Sequence, residues 1–461
     1  MRRILIYLLL VLSGAVPASA DSSTILVFPF ENVTNDRNLD WIGEGISELI
    51  IERLQPEPDV FTFAREERLA AFEKLGIPET TAVSRATSLK LGWNMAADHL
   101  VTGRFAGTPE NFQIVARVVD LEAGAASEIA VEGKLEDILP LSMSVAWQIL
   151  KKAIPGTASP EANYTAQPPI PRSAFENYIR GILNQGFRKR TELLQTAVRL
   201  HPQYGPALFE LGRTYHLERD FKNSNQWLEK IPETSYLRRY ALFLIGLNYF
   251  YQGDYSRVIA AFQTLPPTYD VLLNLGAAFC EKGDAVSAAN TWRRAADMDP
   301  LVSDAFFNLG YLNLTKGDFD NAAKNLIQSL KLRGRDSEAL FLLGRTYEKQ
   351  GRLEDSQKTI AQASRLSQRV DRWLTQRLPK LERLASSTLL RSREEIWTYQ
   401  RLVRRARSQD LPAWLELIQM DIDSYLLGDA LRELDDLLVV FPESSEALSL
   451  LEEVRRQQNV R

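Results

Sequence analysis

The stretch SDAFFNLGYLNLTKGDFDNAAKNLIQSLKLRGRD, residues 303–336, is one copy of a pattern that recurs through residues 205–368. Each copy is anchored by an aliphatic residue followed by glycine, and successive anchors lie 34, 30, 34 and 34 positions apart. The five anchors are Leu211-Gly212, Ile245-Gly246, Leu275-Gly276, Leu309-Gly310 and Leu343-Gly344. A period near 34 residues is typical of a repeated supersecondary unit.

Each copy is predicted to form two helices joined by a tight turn. Glycine suits the left-handed position that ends a first helix, and aspartate can cap the helix that follows. The turn residues are Arg219-Asp220, Gly253-Asp254, Gly283-Asp284, Gly317-Asp318 and Gly351-Arg352. The second helix then carries a modest residue followed four positions later by a large one, and we expect the large residues to fill the helix–helix seam. These pairs are Ser224/Leu228, Val258/Phe262, Ala288/Trp292, Ala322/Leu326 and Ser356/Ile360.

These features resemble the tetratricopeptide repeat family. The resemblance implies helical hairpins that stack into a solenoid, because one hairpin cannot bury its own apolar face. We predict the repeats over residues 173–370, with an irregular leading hairpin before the first anchor.

Residues 21–152 carry a different pattern, in which short β-branched runs alternate with amphipathic segments. Strands are predicted near 25–30, 60–63, 99–104, 112–120 and 127–131, and helices near 39–54, 66–75, 83–91 and 137–152. The predicted fold class is therefore an α/β amino-terminal domain, a mixed sheet with flanking helices, followed by an all-α solenoid.

Four short motifs of this region resemble the amino-terminal domain of TolB and its relatives, including the curli secretion protein CsgG. They are Val27-Phe28-Pro29-Phe30, Gly43-Glu44-Gly45-Ile46, His99 to Arg104 and Ala116 to Gly124. The resemblance implies a non-enzymatic envelope or binding module. Residues 153–172, which hold five prolines, are predicted to be a semi-extended linker between this domain and the repeats.

The first twenty residues are typical of a secretory signal peptide. Arg2-Arg3 precede the apolar run Ile4–Leu12, and Ala18-Ser19-Ala20 provides a small-residue cleavage site. We expect cleavage after Ala20 and a periplasmic protein. A cysteine-anchored lipoprotein is not expected, because the residue directly after that site is Asp21 and not a cysteine.

Composition argues against several classes of function. The formal charge is −4, or −6 once Arg2 and Arg3 are removed, whereas a dedicated nucleic-acid binder is usually basic. The three histidines, His99, His201 and His216, lie in different predicted elements and lack a metal-binding spacing. Since the sequence also lacks a nucleophile elbow and a phosphate loop, we predict no catalytic residues, no metal and no cofactor.

The predicted site is the concave surface that the first helices of the repeats form. Two neighbouring helical stripes on that surface hold aromatic residues flanked by arginines. Such a groove suits an extended peptide with apolar side chains and an acidic group, although the aromatics could instead pack between adjacent helices. The predicted partner-binding residues are Phe209, Arg213, Phe243, Phe307, Tyr311, Phe341 and Arg345.

Residues 371–461 are predicted to be basic amphipathic helices followed by capping helices that resemble a repeat. Trp373, Leu374, Leu378, Leu381 and Leu384 keep helical spacing, and Gly428-Asp429 is expected to split the last helix pair. The basic residues of 365–407 either meet anionic surfaces or are neutralised by acidic residues of the closing helices.

The sequence therefore suggests an exported, non-enzymatic scaffold that binds protein or peptide partners and not nucleic acid. Its TolB-like domain would dock one partner and its groove another, with the linker setting their separation. The alternative is a structural component of an outer-membrane secretion or polymer-export apparatus, and peripheral association with the membrane or an envelope complex stays open. The scaffold hypothesis requires a free groove, so a groove filled by the chain itself would contradict it.

Overall fold

The computed structural model describes residues 23–459 except 35, 58–59, 75, 78–82, 96, 156–159, 166–169, 376–382, 386–410 and 424–426. The predicted signal peptide thus lies outside the described residues. Within the described part of the chain, every helix is too short or too polar to cross a bilayer.

The amino-terminal region contains a mixed sheet with helices on both faces, as predicted. The strands are β1 Ser23–Val27, β2 Glu31–Asn32, β3 Val60–Thr62, β4 His99–Gly107, β5 Phe112–Asp120 and β6 Ala126–Gly133. Strand order is β3-β1-β4-β5-β6, with β1 parallel to both of its neighbours and β5 antiparallel to both β4 and β6. The two-residue strand β2 also pairs with β4 and was not predicted.

Alternation along the strands divides the core between the two faces of the sheet. The helices are α1 Trp41–Leu54, α2 Arg65–Lys74, α3 Arg85–Asn94 and α4 Ile138–Ala153, and a short α5, Glu161–Thr165, follows. Ile25 and Val27 of β1 face α1 and α4, whereas Leu26 faces α2 and α3. Such alternation follows from the two-residue period of a strand.

Apart from turns and residues 383–385, the rest of the described chain is helical, and helices pair as antiparallel hairpins over 172–366. A leading hairpin, α6 Arg172–Leu183 with α7 Phe187–Leu200, precedes the five predicted repeats. These are α8 Gly205–Leu217 with α9 Phe221–Leu228, α10 Arg238–Tyr251 with α11 Tyr255–Gln263, α12 Tyr269–Glu281 with α13 Ala285–Met298, α14 Ser303–Lys316 with α15 Phe319–Leu332, and α16 Ser337–Lys349 with α17 Leu353–Leu366.

The anchor glycines explain why the two helices of a repeat approach so closely. A Cβ added at Gly276 would lie 2.4 Å from the indole Nε1 of Trp292, and one at Gly212 would lie 2.4 Å from Leu228. The other three anchors face their partners in the same way: Gly246 meets Phe262, Gly310 meets Leu326 and Gly344 meets Ile360. The prediction that the large residues of the second helix fill the seam is confirmed, and only glycine leaves room for them.

The predicted turn chemistry is also confirmed. The turn glycines adopt left-handed φ values, for example +80° at Gly317, and Arg219 takes the same conformation in the first repeat. In four repeats the following aspartate accepts a hydrogen bond from the backbone at the start of the second helix; these are Asp220, Asp254, Asp284 and Asp318. Arg352 in the fifth repeat provides no such side-chain cap.

The α/β region and the first repeats share one continuous hydrophobic core. Helix α6 packs against α1, where the ring of Phe175 lies 6.0 Å from that of Trp41 and covers Gly45. Tyr164 within the proline-rich segment is buried, and its hydroxyl donates a 2.9 Å hydrogen bond to Glu57. The expectation that a linker sets the separation of two independent units is therefore wrong, because apolar side chains from both regions bury one another. The exact domain boundaries stay predictions.

Beyond the repeats, α18 covers Arg369–Thr375, and three closing helices form a small core of their own. Gly428 and Asp429 lie inside the second closing helix, so they do not split the final pair as predicted. The closing helices are Leu411–Asp423, Leu427–Val440 and Ser445–Asn459.

Candidate functional site

Three phenylalanines of the predicted aromatic row are buried. Phe243, Phe307 and Phe341 each expose at most 1% of their surface. The ring of Phe243 lies 5.4 Å from that of Phe262 and belongs to the seam of its own repeat. The prediction that these residues line an open groove is wrong for this structure, because each ring is covered by other parts of the chain.

Phe307 and Phe341 are covered by residues that follow the repeats in the sequence. The ring of Trp373 on α18 lies 5.4 Å from that of Phe341. The guanidinium of Arg383 stacks 3.7 Å from the ring centroid of Phe307. At these repeats the chain itself fills the concave surface, which contradicts the expected free groove.

At the first repeat, the concave surface faces the α/β region. Phe209 and Arg213 line a cavity of about 140 Å³ that residues of α1, β3 and α2 close from the other side. Arg213 forms ion pairs with Glu66 at 3.1 Å and with Glu210 at 3.0 Å.

The remaining predicted residues also have partners within the chain: Tyr311 is buried, and Arg345 contacts Glu348 at 2.6 Å.

Two polar groups that line this cavity have no hydrogen-bond partner among the described residues, namely Glu48 Oε1 and Thr62 Oγ1. Burial raises the pKa of Glu48 to about 8, and the neighbouring Glu44 carboxylate adds to the effect. Glu48 is thus mostly protonated at neutral pH.

The feature that sequence reasoning missed is a pair of asparagines one position before the anchors. Asn308 donates from Nδ2 to the carbonyl of Arg383 at 2.9 Å and accepts at Oδ1 from the Arg383 amide at 2.8 Å. Asn274 makes the same two bonds to Ala385, at 2.9 and 2.8 Å. Both asparagines are fully buried and lie 34 positions apart. Adjacent repeats therefore bind the backbone of alternate residues in one extended segment.

We call Arg383–Ala385 the groove segment; it forms neither helix nor sheet. Its central residue, Leu384, packs with Ala385 against the apolar cluster of the third and fourth repeats. The helical spacing predicted through Leu384 is therefore wrong at this point. The side-chain amides of Asn274 and Asn308 replace the backbone bonds that a helix would supply, and Pro379 lies in the preceding sequence.

The charge of Arg383 is balanced by acidic residues of the repeats. Its Nη1 lies 3.0 Å from Asp304, its Nη2 contacts Asp336, and Glu338 lies 3.6 Å away. The expectation that the closing helices neutralise the basic stretch is wrong for Arg383, because its acids come from α14 and the start of α16. The other basic residues of 376–382 and 386–407 lie outside the described residues.

A buried asparagine that recurs at one register position is the sequence signal that could have identified this site. A buried side-chain amide needs hydrogen-bond partners, and a helix leaves none of its own backbone groups free in mid-helix. What the asparagines bind could not be read from the sequence, because the groove segment lies 75 positions beyond Asn308 and 111 beyond Asn274.

Comparison with known proteins agrees with the repeat architecture. Two models of the tetratricopeptide repeat family match this sequence, at residues 273–324 and 313–375. The chain contains tetratricopeptide repeats. Those models cover most of the third repeat through α18 and include Asn274 and Asn308, whereas the groove segment lies beyond residue 375. Among curated proteins, none matches the chain significantly.

Several solved structures are similar to part of this chain. MamA is 18% identical, with 37% of this chain and 96% of that chain aligned and a TM-score of 0.32. PilW, a widely conserved type IV pilus biogenesis factor, is 16% identical, with 43% and 94% aligned and a TM-score of 0.38. YrrB, described as a TPR protein with an unusual peptide-binding site, is 15% identical, with 39% and 94% aligned and a TM-score of 0.32.

Proposed function

We propose that this protein is an interaction scaffold whose repeats hold an extended polypeptide segment across Asn274 and Asn308. The observation that carries the proposal is the pair of reciprocal amide bonds to alternate residues of the groove segment. Because these bonds go to backbone atoms, the same asparagines can bind another extended chain. In this proposal the groove segment occupies the site that a partner polypeptide would bind.

A partner must displace the groove segment to reach the asparagines. A tethered segment has an effective concentration on the order of millimolar, so it competes strongly with a partner that binds at one site only. This differs from the open groove expected from the sequence, and it makes partner binding an exchange reaction. Tetratricopeptide repeats support a protein-binding role, and an enzymatic role has no described residues to support it.

The cellular setting belongs to the same proposal. The leader at residues 1–20 supports export, and the motifs around Phe28, Gly43 and Gly103 support a TolB-like module, so we place the scaffold in the periplasm of a bacterial envelope. The α/β region is the second docking surface in this proposal. Because it shares a core with the repeats, both surfaces keep a constant relative position.

The groove is tested with the full-length protein in which Arg383-Leu384-Ala385 is replaced by Gly-Ser-Gly, because this replacement removes the ion pairs of Arg383 and the apolar contact of Leu384 and so weakens the tethered competitor. A fluorescent peptide with the sequence of residues 381–387, Leu-Glu-Arg-Leu-Ala-Ser-Ser, is titrated and its anisotropy measured. We expect saturable binding that the additional Asn274→Ala and Asn308→Ala substitutions weaken at least about tenfold, because four hydrogen bonds are lost. Absence of binding to the Gly-Ser-Gly protein would refute the proposal.

The proposed location in the bacterial envelope is tested separately by fractionating cells. Release from membranes by a salt wash supports a peripheral scaffold, whereas release only by detergent favours the export-apparatus alternative.

A further inference from the structure

Arg383 occupies a site in which three kinds of contact converge on one guanidinium. Asp304 lies 3.0 Å from Nη1, Asp336 contacts Nη2, and the ring of Phe307 lies 3.7 Å from the guanidinium carbon. The Arg383 side chain is only 12% exposed, and that of Asp336 only 5%. This depth distinguishes the contact from an ordinary surface ion pair.

The acidic side of this site is held in place by the repeats themselves. Asp336 caps α16 and accepts 3.1 Å hydrogen bonds from the amides of Glu338 and Ala339. Asp304 also pairs with Arg333 at 3.3 Å. The two carboxylates therefore have positions that do not depend on Arg383. In a groove without Arg383, Asp304 would keep Arg333, whereas Asp336 would lose its ion pair with Arg383 in a poorly solvated place.

The geometry suits arginine better than lysine. A planar guanidinium can send separate N–H groups to two carboxylates while its face stacks on an aromatic ring, whereas an ammonium is a compact and strongly hydrated charge. Phe307 follows Asp304 by three positions on α14, and its ring contacts the same guanidinium.

The asparagines fix the register of whatever chain lies in the groove. Asn308 binds the backbone of the residue at the arginine position, and Asn274 binds the backbone two residues later. The intervening side chain, Leu384, lies on an apolar cluster, and the third position holds the small Ala385. Asn274 and Asn308 thus bind the backbone of the segment, whereas other residues contact its side chains.

We infer that the groove is specific for extended segments that carry arginine, then an apolar residue, then a small residue. The groove segment is the chain's own copy of this ligand and competes with a partner that carries the same three residues. This inference rests on the proposed function, because it names the class of peptide that the same groove takes.

The test uses the full-length Gly-Ser-Gly protein and three peptides: Leu-Glu-Arg-Leu-Ala-Ser-Ser and the versions with alanine or lysine in place of arginine. We expect the alanine peptide to bind at least about tenfold more weakly and the lysine peptide to lie between, as loss of a charge-assisted contact predicts. Binding is measured by fluorescence anisotropy at fixed ionic strength.

The second arm repeats the titrations with Asp304→Asn and Asp336→Asn together. Asparagine retains the capping role at position 336, so the helix start is preserved while the charge is removed. We expect the difference between the arginine and alanine peptides to fall below about threefold. Asp297→Asn, at an exposed position, is the matched control and should leave the difference unchanged.

The two proposals fail in different ways. If none of the three peptides binds, the groove does not hold a peptide in trans and the proposed function is wrong. If all three bind equally, or if the acidic substitutions leave the preference for arginine intact, the groove binds peptides and the arginine specificity is wrong.

Discussion

The side chain of Asn308 and the backbone of Arg383 form a closed pair of hydrogen bonds, with the asparagine donating at 2.9 Å and accepting at 2.8 Å. The NH2 and the C=O of the side-chain amide both bind the backbone of the same residue, which resembles the paired hydrogen bonds between neighbouring strands. Asn274 repeats the arrangement at Ala385. Extended backbone is thereby held on a helical surface that has no strand of its own.

Removing these amides should release the groove segment. We expect Asn274→Ala with Asn308→Ala to raise the rate at which a thiol reagent labels Leu384→Cys, in a Cys280→Ser background. Each lost hydrogen bond costs about 1 kcal/mol, so an increase of at least about tenfold is expected. The rate is followed by mass spectrometry of the intact protein.

Asn290→Ala is the matched control, because Asn290 is exposed on the second helix of the third repeat. It should leave the labelling rate unchanged. An unchanged rate in the double variant would mean that other contacts of the segment, such as the ion pairs of Arg383, and not the amides, hold it in place.

The seam of the repeats should not tolerate a methyl group at the anchor. Gly276→Ala would place a Cβ 2.4 Å from the buried indole of Trp292, whose Nε1 donates a 2.9 Å hydrogen bond to the carbonyl of Leu273. We expect a loss of about 1–3 kcal/mol in the free energy of unfolding, measured with urea. Gly186→Ala is the control: its φ is −79° and its nearest neighbour, Asn184 Oδ1, is 3.3 Å away. Equal stability of the two variants would show that the seam has room to adjust.

Glu48 should make the protein less stable as the pH rises. Its pKa is raised from 4.5 to about 8 in the folded state by burial and by Glu44. Because its pKa is higher in the folded state, Glu48 contributes to the free energy of unfolding at low pH. That contribution is fully present below pH 4.5 and is lost progressively as the pH rises toward 8. Glu48→Gln removes this dependence, so its stability relative to the wild type should increase between pH 5 and pH 8.

The measurement is the urea midpoint of both proteins at pH 5, 6, 7 and 8. Glu192→Gln, at an exposed position, controls for the general effect of removing a carboxylate. Parallel curves for Glu48→Gln and the wild type would show that Glu48 titrates normally.

Phe175 should couple the α/β region to the repeats. Its ring is 1% exposed and lies between Trp41 and Gly45 of α1. Phe175→Ala should cost about 3–5 kcal/mol through the cavity left behind, and calorimetry should resolve two thermal transitions. Phe187→Ala, at a residue 39% exposed, should have a much smaller effect. A single transition with a small loss of stability would mean that other contacts dominate the shared core.

Much of the fold followed from local patterns in the sequence. The anchors, turn glycines and capping aspartates predicted the five hairpins, because each depends on contacts within about 34 residues. The α/β elements were also predicted within a few residues, apart from β2, which is too short to show a period. The helix expected through Leu384 was wrong because a distant pair of asparagines competes for its backbone.

The candidate site was predicted in part. The first helices do form the surface, but Phe307 and Phe341 were assigned to a partner when they are covered by Arg383 and Trp373 of the same chain. Periodicity places a residue on a face of a helix; it carries no information about which distant segment covers that face.

The sequence by itself determined the repeat, its turns and the alternation of the sheet, since these depend on near neighbours along the chain. Only the tertiary structure decided that residues 383–385 lie across Asn274 and Asn308. Contacts between positions 75 and 111 residues apart arise from the way the repeats stack, and no local pattern encodes that geometry.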